Sequence, residues 1–136
     1  MLVRVNNIKI IKKNIISKGK GEIRKYISKK DNFLKSFGEV YFSKIFKKYR
    51  KGWIFHKKNT CIFICIYGSV KFHFVDIFKK EKKLLINAKS GKILIVPPKL
   101  WFSIESKEKF SIVANTLNFP HKDNEVNKKS IKKLPV

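Results

Sequence analysis

Residues 49–76 read YRKGWIFHKKNTCIFICIYGSVKFHFVD and contain the strongest β-strand pattern of the chain. Two runs rich in β-branched and aromatic residues, 61–66 and 69–75, flank the dipeptide Tyr67-Gly68. Glycine tolerates the positive φ angle that a two-residue hairpin turn requires. The pattern therefore predicts a β-hairpin, closed by Tyr67-Gly68, between the two runs.

Alternation along this hairpin assigns its side chains to two faces. We take the more apolar face as the interior of the protein. It carries Cys61, Phe63, Cys65, Val70, Phe72 and Phe74. The opposite face carries Ile62, Ile64, Ile66, Ser69, Lys71 and His73. Because three isoleucines are more than a solvated face normally holds, we expect this second face to pack on another sheet or another subunit, and a homodimer is the natural hypothesis.

The rest of the chain continues as short segments of β pattern. Turn signals recur about every ten residues, and Pro97-Pro98 ends the apolar run 93–96 because proline cannot continue a strand ladder. This pattern, without a convincing amphipathic helix, predicts an all-β barrel or jelly roll. We expect a single domain over residues 1–136, with a core at about 36–126 and a basic, frayed tail at 127–136.

The amino-terminal part gives a weaker pattern. Residues 2–16 alternate loosely between apolar side chains and Lys or Asn, which is typical of edge strands protected by lysine. Residues 22–28 fit a short strand and a helical turn equally well. Since no window reaches about 18 apolar residues and no apolar signal core is evident, we expect a cytoplasmic protein without membrane contact.

The chain is strongly basic, with 33 Lys and Arg against 9 Asp and Glu and a formal net charge of +24. Such a charge suits nucleic-acid binding. Only Arg4, Arg24 and Arg50 are arginine, however, and specific recognition of phosphates and bases favours the arginine fork. The lysines are scattered among many Ile, Asn and Phe residues, as in proteins from AT-rich genomes. We therefore do not expect nucleic acid as a partner, although a positive surface attracts any anionic substrate.

Several motifs follow one another in a fixed order between residues 38 and 125. They are GEVYFSKIF, KGWxxHKK, a segment ending in GxVKF, IVPPxLWF and NxxxxPHxxNE. As a set they resemble the small cupin-type sugar-nucleotide enzymes, the dTDP-4-dehydrorhamnose 3,5-epimerases and the related WxcM-like dTDP-sugar 3,4-ketoisomerases. The resemblance implies an RmlC-like cupin jelly roll that dimerises through sheet faces and strand exchange. It also implies a nucleotide-diphosphate sugar as ligand, no cofactor, and a role in lipopolysaccharide or another surface polysaccharide.

His56 is the candidate catalytic base. It ends a predicted strand beside Lys57 and Lys58, and imidazole is the side chain that most readily exchanges protons near neutral pH. The resemblance implies that it corresponds to the second histidine of the ketoisomerases' HxH pair. The alternative is a partly exposed histidine without a catalytic role.

Four positions depart from the resembled family. Where the family carries two further histidines, a tyrosine acid and a lysine, this chain has Ile54, Phe102, Ala114 and Cys61. Epimerisation beside a ketone needs a base that removes a proton and an acid that returns one on the opposite face. Two hypotheses therefore stay open: an isomerase or epimerase that works through His56, and a catalytically degenerate cupin that binds a sugar nucleotide or a partner enzyme without turnover.

Five further residues are predicted to contact the substrate: Arg50, Lys51, Asp76, Trp101 and Asn115. Arg50 and Lys51 are suited to a sugar diphosphate, and Trp101 to stacking on a base or sugar ring. Asn115 interrupts an apolar strand, where an amide needs a partner. Each also has a purely structural interpretation: surface cations, a core aromatic, a turn cap for Asp76 and a buried amide.

Metal and disulfide chemistry are not expected. His56, His73 and His121 lie on three separate predicted elements, which is a poor pattern for a metal site. Cys61 and Cys65 are four residues apart on one predicted strand, which places their Cα atoms beyond disulfide reach. We interpret both cysteines as small buried apolar residues of a reducing compartment.

Overall fold

The computed structural model describes residues 2–136, and its strands, numbered along the chain, form two five-stranded antiparallel sheets. The first sheet contains, in spatial order, β1 (Lys9–Lys12), β9 (Lys92–Val96), β6 (Cys61–Tyr67), β11 (Phe110–Leu117) and β4 (Glu39–Phe46). The second contains β12 (Val126–Lys128), β5 (Lys51–His56), β10 (Trp101–Ser106), β7 (Ser69–Val75) and β8 (Glu81–Asn87). A small ribbon joins β2 (Ile16–Ser17) to β3 (Glu22–Ile23), and 3-10 turns lie at Val5–Asn7 and Asp123–Glu125. The all-β prediction is confirmed. No helix in this part of the chain is long and apolar enough to cross a membrane.

The predicted hairpin between β6 and β7 is wrong. β6 pairs with β9 and β11 in the first sheet, whereas β7 pairs with β8 and β10 in the second. Gly68 has a φ of 79°, but its turn carries the chain from one sheet to the other. The hydroxyl of Ser111 holds this corner, because it accepts the N–H of Ser69 at 3.1 Å and donates to the Ser69 carbonyl at 2.9 Å. Sequence alternation reports the apolar face of a strand but not its partner.

The predicted interior face is confirmed. All six of its side chains belong to the main core between the sheets: Cys61, Phe63, Cys65, Val70, Phe72 and Phe74. Burial raises the pKa of Cys61 to about 12 and that of Cys65 to about 11, so both side chains are neutral thiols at physiological pH. The predicted face remains correct although β6 and β7 belong to different sheets, because each strand directs its more apolar side chains into the space between the sheets.

The isoleucine face of β6 packs on the protein's own amino-terminal segment. The buried members of this cluster are Ile62, Ile64, Ile93, Ile95 and Ala114, and the residues that cover them are Ile11, Tyr26, Ile27, Phe33 and Leu34. The Tyr26 hydroxyl donates to the carbonyl of Ile62 and accepts from the Thr116 hydroxyl at 3.0 Å. The expectation that another sheet or subunit covers this face is therefore corrected for Ile62 and Ile64. The irregular segment after β3 covers these isoleucines. Its contacts with β6 join residues that are far apart in the sequence, and the periodicity of apolar residues does not predict such contacts.

The carboxyl-terminal tail, predicted to be frayed, is hydrogen-bonded to the second sheet. β12 pairs with β5, and beyond it Trp53 and Lys129 exchange two backbone hydrogen bonds of 3.0 Å. The indole of Trp53 donates to the carbonyl of Lys133 at 2.9 Å, and the Lys129 ammonium lies 4.9 Å from the centre of the Trp101 ring. The two tryptophans thus give the tail a surface to bind.

A β-bulge in β5 decides which of its side chains face the interior. β10 pairs Phe102 with Ile54 but Ser103 with Gly52, which leaves Trp53 as an extra residue. An extra residue shifts the alternation of a strand by one position. The inward side chains of β5 are consequently those of Lys51, Ile54 and His56.

The bulge yields a stability prediction at Gly52. Gly52 has a φ of 121°, and a Cβ there would lie 2.7 Å from the carbonyl oxygen of Phe102. We expect Gly52→Ala to lower the free energy of unfolding by about 2–3 kcal/mol, because backbone strain and a clash add together. Urea unfolding measures the loss. Gly19→Ala is the matched control, since Gly19 has a φ of 81° and nothing within 4 Å of the added Cβ. Equal losses in the two variants would contradict a close approach of β5 and β10.

Candidate functional site

A cavity of about 450 Å³ lies between the two sheets. Its polar lining includes Tyr41, Lys51, His56, Asn115, His121 and Lys128. Its apolar lining includes Ile54, Phe63 and Phe102. Side chains from β4 and β11 thus face side chains from β5, β10 and β12 across one space. A cavity of this size with a few converging polar groups is the usual form of a small-molecule site.

His56, which lines this cavity, forms a buried pair with Glu125. The imidazole Nδ1 lies 2.8 Å from the Glu125 Oε1, and the two residues are 5% and 7% exposed. The Phe102 ring stacks nearly parallel to the imidazole, with 6.1 Å between ring centres. Because the carboxylate engages Nδ1, Nε2 is the nitrogen left to exchange a proton with a ligand.

Glu125 is held in place by the loop that follows β5. Its Oε2 accepts the N–H groups of Lys58 at 3.0 Å and of Asn59 at 3.4 Å, and its Oε1 accepts the Asn59 side-chain amide at 2.8 Å. Burial raises the pKa of Glu125, but the hydrogen bonds from His56, Lys58 and Asn59 outweigh it and lower that pKa to about 2. The carboxylate is therefore ionised at neutral pH and orients the imidazole.

Tyr41 and Asn115 face the cavity from directly opposed positions of β4 and β11. The Asn115 Nδ2 donates to the Tyr41 hydroxyl oxygen at 3.0 Å, which leaves the phenolic proton for another acceptor. Burial raises the pKa of Tyr41, so the phenol stays protonated at neutral pH. The Oδ1 of Asn115 is buried without a hydrogen-bond partner among residues 2–136. A buried amide oxygen of this kind is suited to accept a ligand hydroxyl.

Lys51 and Lys128 bring two positive charges to the cavity. The Lys51 ammonium donates to the Ser43 hydroxyl at 3.0 Å and lies 5.9 Å from the centre of the Tyr41 ring. Burial lowers the pKa of Lys51, and the charge of Lys128 lowers it further. Both lysines thus contribute positive charge to the lining of one cavity.

A protein-family model described as "FdtA: WxcM-like, C-terminal" matches residues 6–127. The chain belongs to this family. A comparison with curated protein sequences found no match.

Three solved structures show what this WxcM-like chain resembles in fold. The dTDP sugar isomerase of Desulfovibrio desulfuricans G20 is 19% identical, with a TM-score of 0.87 over 94% of this chain and 87% of that one. The sugar 3,4-ketoisomerase QdtA of Thermoanaerobacterium thermosaccharolyticum, in complex with TDP, is 21% identical, with a TM-score of 0.81 over 93% and 90%. The dTDP-4-dehydrorhamnose 3,5-epimerase of Bacillus anthracis, with TDP and PPi bound, is 16% identical, with a TM-score of 0.82 over 97% and 85%. The predicted RmlC-like cupin fold is confirmed.

Of the predicted site residues, the structure brings Lys51, His56 and Asn115 together, whereas Arg50 and Trp101 lie outside the cavity. The Arg50 guanidinium donates to the Ser103 hydroxyl at 2.9 Å and contacts the His73 Nδ1 at 3.1 Å, on the outer face of the second sheet. Trp101 packs in an outer cluster with Trp53. Both side chains lie on the outer side of the second sheet. The cavity is lined by the side chains of β5 and β10 that point to the inner side, so Arg50 and Trp101 do not reach it.

Asp76 is also remote from the cavity. Its Oδ1 accepts the N–H groups of Phe78 at 2.9 Å and Lys80 at 3.1 Å, and its Oδ2 accepts that of Val5 at 3.0 Å. These bonds close the turn after β7 and attach the amino-terminal segment to it. Asp76 therefore has the geometry of a turn cap, which was the structural interpretation of this residue from the sequence.

The family departures fall into two groups. Ile54 and Phe102 line the cavity, where they present apolar surface. Ala114 faces the other way, into the isoleucine cluster, and its neighbour Asn115 faces the cavity. A shift of one residue along a strand reverses the face, so the loose assignment of the tyrosine acid to position 114 is corrected. The phenol of this cavity is that of Tyr41, on the adjacent strand.

His73 lies apart from the other two histidines, which both line the cavity. His73 is on the outer face with its Nε2 2.6 Å from the Glu81 carboxylate, and His121 is exposed beside Asp123 at 3.1 Å. Over residues 2–136, no set of three or more His, Cys, Asp or Glu side chains is arranged to hold a metal ion.

Sequence reasoning did not assign roles to Glu125, Tyr41 or Lys128. Glu125 is 69 residues from His56, and only the antiparallel pairing of β12 with β5 brings the two together. The usable signals were the final letter of PHxxNE and the tyrosine of GEVYFSKIF. Nothing in the sequence distinguished Lys128 from the other lysines of the basic tail.

Proposed function

We propose that this protein isomerises a nucleotide-linked keto-deoxyhexose, of the dTDP-4-keto-6-deoxyglucose type, by moving a proton beside the keto group. The observation that carries the proposal is the buried pair of His56 and Glu125, of which His56 lines the cavity between the sheets. The substrate class is supported by the names of the similar structures, which are dTDP-sugar isomerases and epimerases. The proposal includes the setting that the resemblance implies, the cytoplasmic supply of a deoxysugar for a surface polysaccharide.

One base is sufficient for a shift of the keto group from C4 to C3. Nε2 of His56 removes the proton from C3, an enediol forms between C3 and C4, and the proton returns to C4 on the same face. The 3-hydroxyl loses its proton and becomes the keto group, while the 4-keto oxygen gains a proton. Tyr41, which is protonated and has its own proton uncommitted to Asn115, is suited to give the proton to O4 and to recover one from O3.

Epimerisation makes a further demand that the cavity meets less well. It requires a base on one face of the sugar and an acid on the other. The positions at which the resembled enzymes carry additional histidines are Ile54 and Phe102, which form apolar wall. Ile54 also replaces the first histidine of the ketoisomerases' HxH pair, so the substitutions alone do not separate the two reactions. With His56 as the buried base, the keto shift makes the smaller demand, because the proton leaves and returns on one face.

The same apolar residues support a second candidate, a cupin that binds a sugar nucleotide without turnover. Ile54 and Phe102 remove proton-transfer groups from the cavity but leave its volume and its lysines. In that case Lys51 and Asn115 would hold the ligand, and the pair of His56 and Glu125 would serve only to join β5 to the chain before β12.

The proposal includes the predicted homodimer. The surface proposed for it is the edge strand β4, whereas the sequence analysis inferred the isoleucine face of β6. β4 is an edge strand, and its outward side chains Val40, Phe42 and Phe46 are 46%, 66% and 51% exposed. Exposed apolar residues grouped on one strand are suited to contact a second subunit. Sedimentation velocity tests the assembly, and a monomer at micromolar concentration would contradict it.

Proton NMR in D₂O with dTDP-4-keto-6-deoxyglucose tests the proposed function. We expect a new 3-keto sugar with deuterium at C4, because solvent exchanges with the base before the proton returns. Deuterium at both C3 and C5 of a 4-keto product would identify an epimerase and overturn the keto shift. Broadened thymidine signals without exchange would identify the binding protein instead.

Tyr41→Phe is expected to lower kcat by about 10–100-fold, because the keto oxygen loses its proton donor. The affinity for dTDP should stay close to that of the wild type, since the ring is retained. Steady-state kinetics with the keto sugar measure the change. Tyr67→Phe is the matched control, because Tyr67 is half exposed and stacks on Phe110 away from the cavity. An unchanged kcat in Tyr41→Phe would remove Tyr41 from the mechanism.

A further inference from the structure

We propose that the outer face of the second sheet carries an oxyanion site, built around Arg50 and separate from the cavity between the sheets. Its ligand is a phosphate group, either inorganic phosphate or the phosphate of a small metabolite. The site is a smaller cavity of about 140 Å³, and its lining includes Arg50, Lys71, Lys83 and Ser103. The proposed function does not use this outer cavity, so the inference goes beyond that function and does not depend on it.

Four neighbouring segments of the chain converge on the outer cavity. In the register of the second sheet, His73 of β7 lies opposite Lys83 of β8 on one side and opposite Ser103 of β10 on the other. Arg50, the residue before β5, reaches the same point, and its guanidinium lies 4.8 Å from the centre of the Trp53 ring. The outer cavity thus lies behind the strands whose inner side chains line the cavity between the sheets.

Arg50 is a half-buried cation without a carboxylate partner. Its Nε donates to the Ser103 hydroxyl oxygen at 2.9 Å, and its Nη2 lies 3.1 Å from the Nδ1 of His73. Because a guanidinium only donates, Nδ1 accepts this bond, and the protonated Nε2 of the same ring faces Glu81 at 2.6 Å. In the part of the chain that the structure describes, no carboxylate lies within 4.0 Å of the guanidinium. A charge withdrawn from water without a partner is costly, so this position favours a bound anion.

The walls of the outer cavity leave it positively charged. Lys71 and Lys83 line it together with one carboxylate, that of Glu105, which lies 3.8 Å from the Lys71 ammonium. Lys83 has no ion-pair partner within 4.0 Å among the described residues. Burial lowers the pKa of His73, although Glu81 opposes the shift, so the imidazole adds no charge at neutral pH. Three cations thus face one carboxylate.

The size and hydrogen-bonding capacity of the outer cavity indicate the class of ligand. Its volume is about one third of the 450 Å³ between the sheets, which suits a compact ion better than a nucleotide sugar. Ser103 is 1% exposed, and its hydroxyl oxygen accepts from Arg50, so its own proton remains available to a ligand. Guanidinium, ammonium and hydroxyl groups all donate hydrogen bonds, and a phosphate offers only acceptors at neutral charge balance with them.

A phosphate titration followed through the imidazole signals of the three histidines tests the location. His73 contacts Arg50, whereas His56 and His121 line the cavity between the sheets. In proton–nitrogen correlation spectra of the wild type at constant pH and ionic strength, we expect the His73 signals to shift to saturation while the other two stay. Shifts of His56 or His121 with His73 unchanged would assign phosphate to the cavity between the sheets and overturn the proposal.

Calorimetric titration of variants with inorganic phosphate tests the residues. We expect Arg50→Gln to weaken phosphate binding by about tenfold, because it removes a charge-assisted contact and keeps a group that can bond to Ser103. Lys83→Gln should weaken it as well, and since Lys83 is exposed this variant serves if Arg50→Gln unfolds. Lys89→Gln is the matched control, because it removes the same charge from an exposed turn outside the outer cavity.

Two results of the calorimetry would overturn the site. One is an unchanged phosphate affinity in both Arg50→Gln and Lys83→Gln. The other is an equal loss in Lys89→Gln, which would attribute binding to the overall charge of the chain. None of these measurements depends on turnover of the keto sugar, so they fail or succeed separately from the proposed function.

Glucose 1-phosphate, titrated beside inorganic phosphate, distinguishes the two sources of the ligand. Tighter binding of glucose 1-phosphate would support the site and identify a phosphorylated metabolite as its ligand class. Tighter binding of inorganic phosphate would support the site and identify the free ion. Absence of a His73 shift with either probe would overturn the proposal.

Discussion

His56→Asn is expected to lower kcat/KM for the keto sugar by about 10²–10⁴-fold, the usual contribution of a general base. Asparagine can still hydrogen-bond to Glu125, so the loop around it should remain folded, but an amide cannot remove a proton from carbon. The dTDP affinity should change little, because the lysines and Asn115 are untouched. Coupled steady-state kinetics and a thermal melt of the same sample measure both effects.

His73→Asn is the matched control for this prediction. His73 lies on the outer face of the second sheet, where it contacts Arg50 and Glu81, and it does not line the cavity. We expect its replacement to leave kcat/KM nearly unchanged. A fall of similar size in both variants would indicate a general structural effect rather than the loss of a base.

Glu125→Gln is expected to reduce kcat by about 10²–10⁴-fold, because an amide in place of the carboxylate no longer favours the Nδ1-protonated imidazole or stabilises its cation. Glu125 acts through His56 and is a positioning residue. The pH profile separates this role from a structural one, since the rate of the wild type and the variant should depend differently on pH. Superimposable profiles would contradict the pairing.

The Glu125 carboxylate also makes the free energy of unfolding depend on pH in the acidic range. The pKa of Glu125 is lowered from an ordinary 4.5 to about 2 in the folded protein, so its contribution to stability is complete above pH 4.5 and is lost as the pH falls towards 2. We expect the free energy of unfolding of the wild type to fall more steeply across this window than that of Glu125→Gln. Urea titrations at several pH values measure the slopes. Parallel slopes would show that Glu125 is not stabilised in its ionised form.

Local patterns in the sequence were enough to predict which side chains of residues 61–75 face the interior. The alternation through residues 61–75 identified the six core side chains, because strand side chains alternate whatever strand lies beside them. The same pattern gave the wrong partner for β6, since pairing depends on chain segments that are distant in sequence. The resemblance supplied the cupin fold and His56.

The rest of the site depends on long-range geometry. The bulge at Trp53 directs Lys51 inward, although a plain alternation of β5 would direct it outward, and the sequence only hints at it through Gly52. Glu125 reaches His56 through a loop and a three-residue strand at the other end of the chain. Arg50 stands next to Lys51 in sequence but on the opposite face of the sheet, and adjacency in sequence cannot distinguish the two.

The most direct test of the central claim is the loss of the C3 proton of dTDP-4-keto-6-deoxyglucose in D₂O, with deuterium entering at C4 of the product, for wild-type and His56→Asn proteins at equal nucleotide occupancy. We predict that the C3 proton signal decays with the wild type and persists with the variant, while both proteins bind dTDP. Decay at the same rate with both proteins would contradict the assignment of His56 as the base that contacts the sugar.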